Sequence, residues 1–336
     1  MRFTLPSAAR QLNRLRILNL LAVRQDLSRS DVSRILGLNK VSTGEIVDLL
    51  IGEKMVLETG TRTTGTGRPA VSLQLNKDHR MIIAIDVGTR NTSIALVNLA
   101  GEMLRYERYP TPQEPTPEHM AAHIITAVKK VLSRMKDPSV VSGLAISVNA
   151  VVEPATGTII SAPGWNWESV PLAYAISRHL PFPVLVENNV RSMVFGERWF
   201  SEIDPDTTYF YVNWGEHIGS AWLSGGKIIS QDSQFGHIPV AASGHCRCGA
   251  IGCLETQAAG WALIEHFPQV SSVKQLCTIA ETDSAADSEL LQAAEALAQA
   301  LIYASALLRP DKIIIGGGVA ALPDRYFTVL VYTYRR

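Results

Sequence analysis

Met81-Ile82-Ile83-Ala84-Ile85-Asp86-Val87-Gly88-Thr89 decides the fold of most of this chain: an apolar run ends on an acidic residue and a glycine turn. It reads as a buried strand. A second strand-like stretch runs from Thr92 to Asn98, and a turn at Gly101 leads into a third that ends at Arg108. Three successive strands with a glycine hairpin at the first turn can wrap backbone amides around a phosphate. Further on come the apolar runs Gly143 to Val148 and Val184 to Asn189, the latter entering a helix through Gly196-Glu197-Arg198. Then follow Trp214-Gly215-Glu216-His217-Ile218-Gly219, the pair Gly236-His237, and Ile313-Ile314-Ile315-Gly316-Gly317-Gly318. The pattern is that of an α/β chain.

The four cysteines are Cys246, Cys248, Cys253 and Cys277, three of them crowded into eight positions. That spacing is unlike an extracellular disulfide framework and points to metal binding. Three thiolates and one imidazole make a closed tetrahedral zinc site with a structural role. His237 and His245 both offer the nitrogen. Cys277 stands alone in a helical stretch and reads as a small buried hydrophobe.

Ahead of the strand run lies a helical head. Leu12, Leu15, Leu18 and Leu21 or Ala22 recur at helical spacing, with Asn13, Arg14 and Arg24 opposite. Ser28 and Asp31 have the form of a capping pair before a short helix with Val32, Ile35 and Leu36 inside, stopped by Gly37. Asn39 then caps a third helix with inner face Val41, Ile46, Leu49 and Leu50. Two helices joined by a glycine turn place the second in the DNA major groove. Arg29, Lys40, Ser42 and Thr43 are the candidate contacts there. Met55-Val56-Leu57 and Val71 to Leu75 read as two strands, and the loop between them is a wing whose Arg62 and Arg68 can enter a minor groove. A helical protein-interaction module is the competing reading of the same elements.

Charge favours nucleic acid. Residues 1–80 hold 13 Lys and Arg against 7 Asp and Glu, out of 31 of each in the chain, so a head of +6 precedes a body of −6. With 336 residues, 46% of them apolar, the chain can bury more than one core. No stretch approaches about 20 uninterrupted apolar residues, and Met1 to Pro6 lacks the apolar core of a secretory signal, so a cytoplasmic location is expected.

In this order, the segments from Met81 to Gly318, the cysteine cluster and the fused head resemble the ROK family, named for repressors, open reading frames and kinases. The resemblance covers nearly the whole chain. It implies a winged helix-turn-helix domain over 1–77 and, over 80–336, a two-lobed ROK body of the actin and hexokinase (ribonuclease H-like) type. A head of this kind belongs to the family's regulators. The family continues with helical sequence beyond the triple glycine, so ending at Arg336 implies a body truncated at its C-terminus.

The resemblance also assigns residues. It selects His237 as the fourth zinc ligand with Cys246, Cys248 and Cys253, and puts sugar contacts on Asn188, Asn189, Gln234, His237 and Glu255. The family's kinases carry Glu-Asn-Asp at a strand end, the aspartate accepting the sugar hydroxyl's proton; here the triplet is Glu187-Asn188-Asn189. An amide cannot act as a general base near neutral pH. Thr89 and Arg90 occupy the family's first phosphate loop, and Glu216 in the second would repel phosphates. Gln234 replaces a glutamate. Trp165 and Trp167 lie where the family puts a sugar-proximal loop, although indoles also plug cores. Trp165 and the run Glu187 to Val190 resemble the xylose-repressor branch.

The expected protein is therefore a homodimeric, sugar-responsive repressor with a catalytically inactive body that releases a palindromic operator when a monosaccharide closes its lobes, coupled through Asn76 to His79. An active ATP-dependent sugar kinase with a DNA-binding head needs another carboxylate in place of Asn189. A constitutive DNA-binding protein with a purely dimerising body is the third reading.

Overall fold

A computed structural model describes residues 6–62, 70–200, 207–225, 227–229 and 233–336. Its contacts group the chain into two units, Met1–Asn189 with Trp199–Ser201, and Val190–Arg198 with Glu202–Arg336. The head and the first body sheet thus fall in one unit.

The head consists of α1 (Pro6–Val23), α2 (Arg29–Leu36), α3 (Lys40–Gly52) and the antiparallel pair β1 (Val56–Arg62) and β2 (Ala70–Leu75). Ser28 and Asp31 form the expected capping box, and Gly37 ends α2 in the left-handed conformation at φ 64°. Asn39 accepts hydrogen bonds from the Val41 and Ser42 amides and so starts α3. Ile17, Leu21, Val32, Ile46, Val47, Leu50, Val56 and Leu73 build the core.

Two helix faces differ from expectation. In α1 the buried residues are Ile17 and Leu21, whereas Leu12 and Leu15 are exposed, because at about 100° per residue they fall on the side of the helix away from Ile17. Arg14, expected outside, pairs with Glu53. In α3 the inner stripe is Thr43, Ile46, Val47 and Leu50, not Val41 and Leu49. That three-and-four spacing follows one helix face; the expected set did not. The wing segment 63–69, including Arg68, lies outside the described residues, as does the side chain of Arg62, whose backbone closes β1.

The first body sheet has β3 (Met81–Val87) at its centre, running antiparallel to β4 (Asn91–Asn98), which pairs with β5 (Met103–Pro110). After α4 (Pro117–Leu132) comes β6 (Val141–Val148), parallel to β3. Next are the small antiparallel strands β7 (Val151–Glu153), β8 (Thr158–Ala162) and β9 (Trp167–Val170), then α5 (Leu172–Ser177) and β10 (Val184–Asn188), which lies parallel to β6. Alternating burial along β4 follows from a period of two against one apolar face. The register sets Asp86 opposite Ser147, and Val87 and Asn188 opposite Val148. Ligands in such sheets bind at the carboxyl ends of the parallel strands.

Helix α6 (Asn189–Phe200) leads into the second unit, whose sheet orders as β13 (Lys227–Ile228), β12 (Ile218–Ser224), β11 (Tyr209–Trp214) and β14 (Lys312–Gly316). Around it stand α7 (Leu254–Ala258), α8 (Gly260–His266), α9 (Val273–Ile279), α10 (Ser284–Leu308) and α11 (Asp324–Arg335). The alanine-rich α10 is long and apolar enough to cross a membrane by composition. Its residues Leu290, Ala293, Ala294, Leu297, Ala298 and Leu301 are instead buried in the unit's core. Cys277 is half-buried against that core.

Candidate functional site

The cysteine loop folds back on the segment before it. Val240 and Ala241 donate their amides to Gly252, Cys246 donates to Ala250, and Pro239 bridges to Cys253. The short turn Phe235–His237 brings the imidazole to the same place. Gly236 must be glycine there: a Cβ would sit 2.4 Å from the Ile218 carbonyl oxygen and 3.0 Å from Glu255 Cγ.

As a result, donor atoms of His237, Cys246, Cys248 and Cys253 lie within 4.8 Å of one another. His237 Nδ1 stands 3.5 Å from Cys246 Sγ, and the Cys248 and Cys253 sulfurs are 3.8 Å apart. Zinc–sulfur bonds of about 2.3 Å in a tetrahedron separate two sulfurs by about 3.8 Å. The donor set therefore fits a tetrahedral cation. Burial pushes the Cys253 thiol up to about 12 and raises Cys246, while Cys248 is lowered by the Ala250 amide. Thiols of that kind become thiolates around a cation. His245 is exposed, pairs with Ile251 and stands outside the group, so that, among the described residues, His237 is the histidine beside the three cysteines.

Glu255, only 4% exposed, begins beside this loop on α7. One carboxylate oxygen accepts the Ile218 amide at 2.8 Å, the other the Trp261 indole N–H at 3.2 Å, with His217 Nδ1 at 3.4 Å. Burial alone would raise this carboxyl; His217, the Ile218 amide and Trp261 outweigh it and hold it below the ordinary range. His217 is a partner that the sequence did not reveal, since its neighbours read as a phosphate loop. Gln234, His237 and Glu255 are thus close together in the second unit, with Gln234 exposed.

Asn188 and Asn189 stand in the first unit, at the carboxyl end of β10. Asn188 Nδ2 donates to the Ala150 carbonyl at 2.9 Å. On the neighbouring strand end Asp86 is exposed and accepts from Ser147 Oγ at 2.7 Å. Trp167 is a core residue, 5% exposed, its indole donating to the Pro115 carbonyl. Trp165 is half-buried and packs against it, ring centroids 4.8 Å apart.

In the head, Lys40 and Ser42 are exposed at the start of α3. Two expected DNA contacts are corrected. Thr43 is 1% exposed and its hydroxyl donates to the Asn39 carbonyl at 2.8 Å, so it faces the head's core. The Arg29 guanidinium bridges Asp48, at 2.6 Å, and Glu58, tying α2 to α3 and β1 instead of standing ready for a phosphate. Val41, expected inside, is 71% exposed.

The head joins the body through a sewn linker. Asn76 donates its amide to Met55 and its side chain to Lys54, the Leu99 amide donates to Lys77, and the Lys77 ammonium pairs with Glu102 at 2.9 Å. Asn98 Nδ2 donates to both Asp78 and Glu102. A cavity of about 150 Å³ lies there, lined by Leu21, Ala22, Gln25, Gln74, Lys77 and Glu102 among others.

Comparison with known proteins agrees with this architecture. The ROK family model matches residues 82–334. A xylose repressor of Caldicellulosiruptor bescii is 30% identical over 273 residues, spanning 79% of this chain and 68% of its own. A glucokinase of Halalkalibacterium halodurans is 28% identical over 271 residues, 73% of this chain and 82% of that one. Among solved structures, a ROK family transcriptional regulator described as a homologue of the E. coli Mlc protein superposes with a TM-score of 0.81 at 23% identity. It covers 97% of this chain and 88% of its own, which extends the likeness in fold to the head.

Proposed function

The chain belongs to the ROK family, and on that premise we propose that it is a sugar-responsive transcriptional repressor whose body binds a monosaccharide without phosphorylating it. One observation carries the reading: a helix-turn-helix head is fused to a kinase-like body in which Asn189 follows Glu187-Asn188 at the strand end. An amide donates and accepts hydrogen bonds to a sugar but takes no proton from it near neutral pH.

In this reading Asn188, Asn189, Gln234, His237 and Glu255 contact the sugar. Neutral amides at three of these five positions suit an uncharged ligand, and the name of the C. bescii relative makes a pentose such as xylose the first candidate. His237, Cys246, Cys248 and Cys253 hold zinc, whose four protein donors leave no open position and so give it a structural role. The ion, when bound, fixes the loop that carries His237.

DNA contacts fall to Lys40 and Ser42, with Arg62 and Arg68 of the wing. A homodimer in the cytoplasm would present two heads to a palindromic operator. Sugar control requires that the ligand favour one placement of head and body over another, since equal affinity for both shifts nothing. The linker Asn76 to His79 is the coupling point.

The glucokinase relative supports a second reading, an active sugar kinase carrying a DNA-binding head. Purified full-length protein with magnesium ATP and a panel of hexoses and pentoses separates the two. A thermal shift with one sugar and no sugar phosphate is the expected result. Turnover that disappears in Asp86→Ala would establish the kinase and end the repressor-only reading.

A further inference from the structure

We propose that Val41 and Glu45 are the base-reading side chains of α3, Val41 taking the methyl group of a thymine and Glu45 the amino group of a cytosine. The inference rests on the DNA-binding reading and adds to it which residues specify sequence.

The buried stripe of α3 is Thr43, Ile46, Val47 and Leu50. At 100° per residue, Val41, Glu45 and Asp48 lie opposite that stripe, and all three are exposed. Of the exposed side chains of α3, which also include Lys40, Ser42 and Leu49, these three lie furthest round the helix from its buried stripe. Asp48 is neutralised by Arg29. Glu45 is not: among the described residues it makes no hydrogen bond or ion pair. Val41, at 71% exposure, has no donor or acceptor to give.

Neither residue suits a phosphate backbone. A carboxylate repels it, and an isopropyl group gains nothing from it. In the major groove each has one natural counterpart. The thymine C5 methyl is that groove's apolar feature, and a carboxylate accepts from the cytosine N4 amino group. Four residues of helix rise by about 6 Å, close to two base-pair steps of about 3.4 Å each. The two bases should therefore lie within about two steps of each other. Lys40 and Ser42, flanking Val41, are then the residues that position the helix on phosphates, which fixes register without reading sequence.

The test begins with duplexes selected from a random pool by the full-length protein. In the enriched half-site, replacing each thymine by deoxyuridine removes only a methyl group. One such replacement should weaken wild-type binding about fourfold, the value of burying one methyl-sized group, and leave Val41→Ala unaffected. Glu45→Gln should lose its preference at one cytosine by about tenfold, the size of one mismatched base pair. Glu45→Gln and Val41→Ala both change solvent-facing side chains, and circular dichroism melts check that each folds. If selection yields a sequence but no deoxyuridine replacement matters and Glu45→Gln selects the same site, the base-reading assignment is overturned while DNA binding stands. If no sequence is enriched and binding is indifferent to duplex, the DNA-binding reading itself fails.

Discussion

Single side chains decide what each part of the molecule can do. In the cysteine loop, the donor cluster takes in His237 and not His245, although both precede the cysteines in sequence. His237→Ala and Cys253→Ser should each lower bound zinc well below one ion per chain, measured by elemental analysis after dialysis, whereas His245→Ala should keep it. Retention of full zinc by Cys253→Ser would refute the assignment. In the head, the Ser28 hydroxyl, then Arg34 and the Ser28 amide, hold the Asp31 carboxyl at about 2. A folded-state value below the ordinary one means stability that is present above the usual carboxylate range and is lost as pH falls toward 2. Asp31→Asn should therefore melt lower than wild type at pH 7 and converge with it near pH 2. Ser28→Ala, which removes the cap, should cost about 1 kcal/mol.

At the level of elements, the phase of α3 is the most informative result. Leu50→Ala, which empties a fully buried position, should cost about 2–5 kcal/mol in denaturant unfolding, while Val41→Ala should change stability by less than about 0.5 kcal/mol. The opposite order would restore the inner face expected from sequence. That face was misread because Thr43 disguises the stripe: a polar residue sits inside, its hydroxyl satisfied by Asn39, while an exposed valine looks apolar enough to be core. The same limit applies to Arg29, whose charge suggested DNA before Asp48 and Glu58 were seen to hold it. Other elements were legible. Ser28, Gly37 and Asn39 act through local backbone geometry, so the boundaries of α2 and α3 follow from neighbours in sequence. The strands of the first body sheet were readable for a similar reason, their alternating or continuous apolar runs. His217 beside Glu255 was not, since 38 residues separate them and only the folded sheet brings them together.

On the scale of the whole molecule, the head is fastened to the first body sheet by the linker, and the Lys77–Glu102 pair is an exposed tie in it. Exposed pairs add little to folding stability, and salt screens them. Lys77→Ala should accordingly fold, bind the selected duplex and bind sugar as the wild type does, yet show a smaller change in DNA affinity when sugar is added. Unchanged coupling would move the hinge elsewhere. The central claim is that sugar binding, uncoupled from phosphoryl transfer, controls the head. Fluorescence anisotropy of a labelled selected duplex with full-length protein, titrated with xylose and other sugars in the absence of ATP, tests it most directly. A saturable change in DNA affinity with one sugar is the predicted result; DNA affinity that no sugar alters would contradict it.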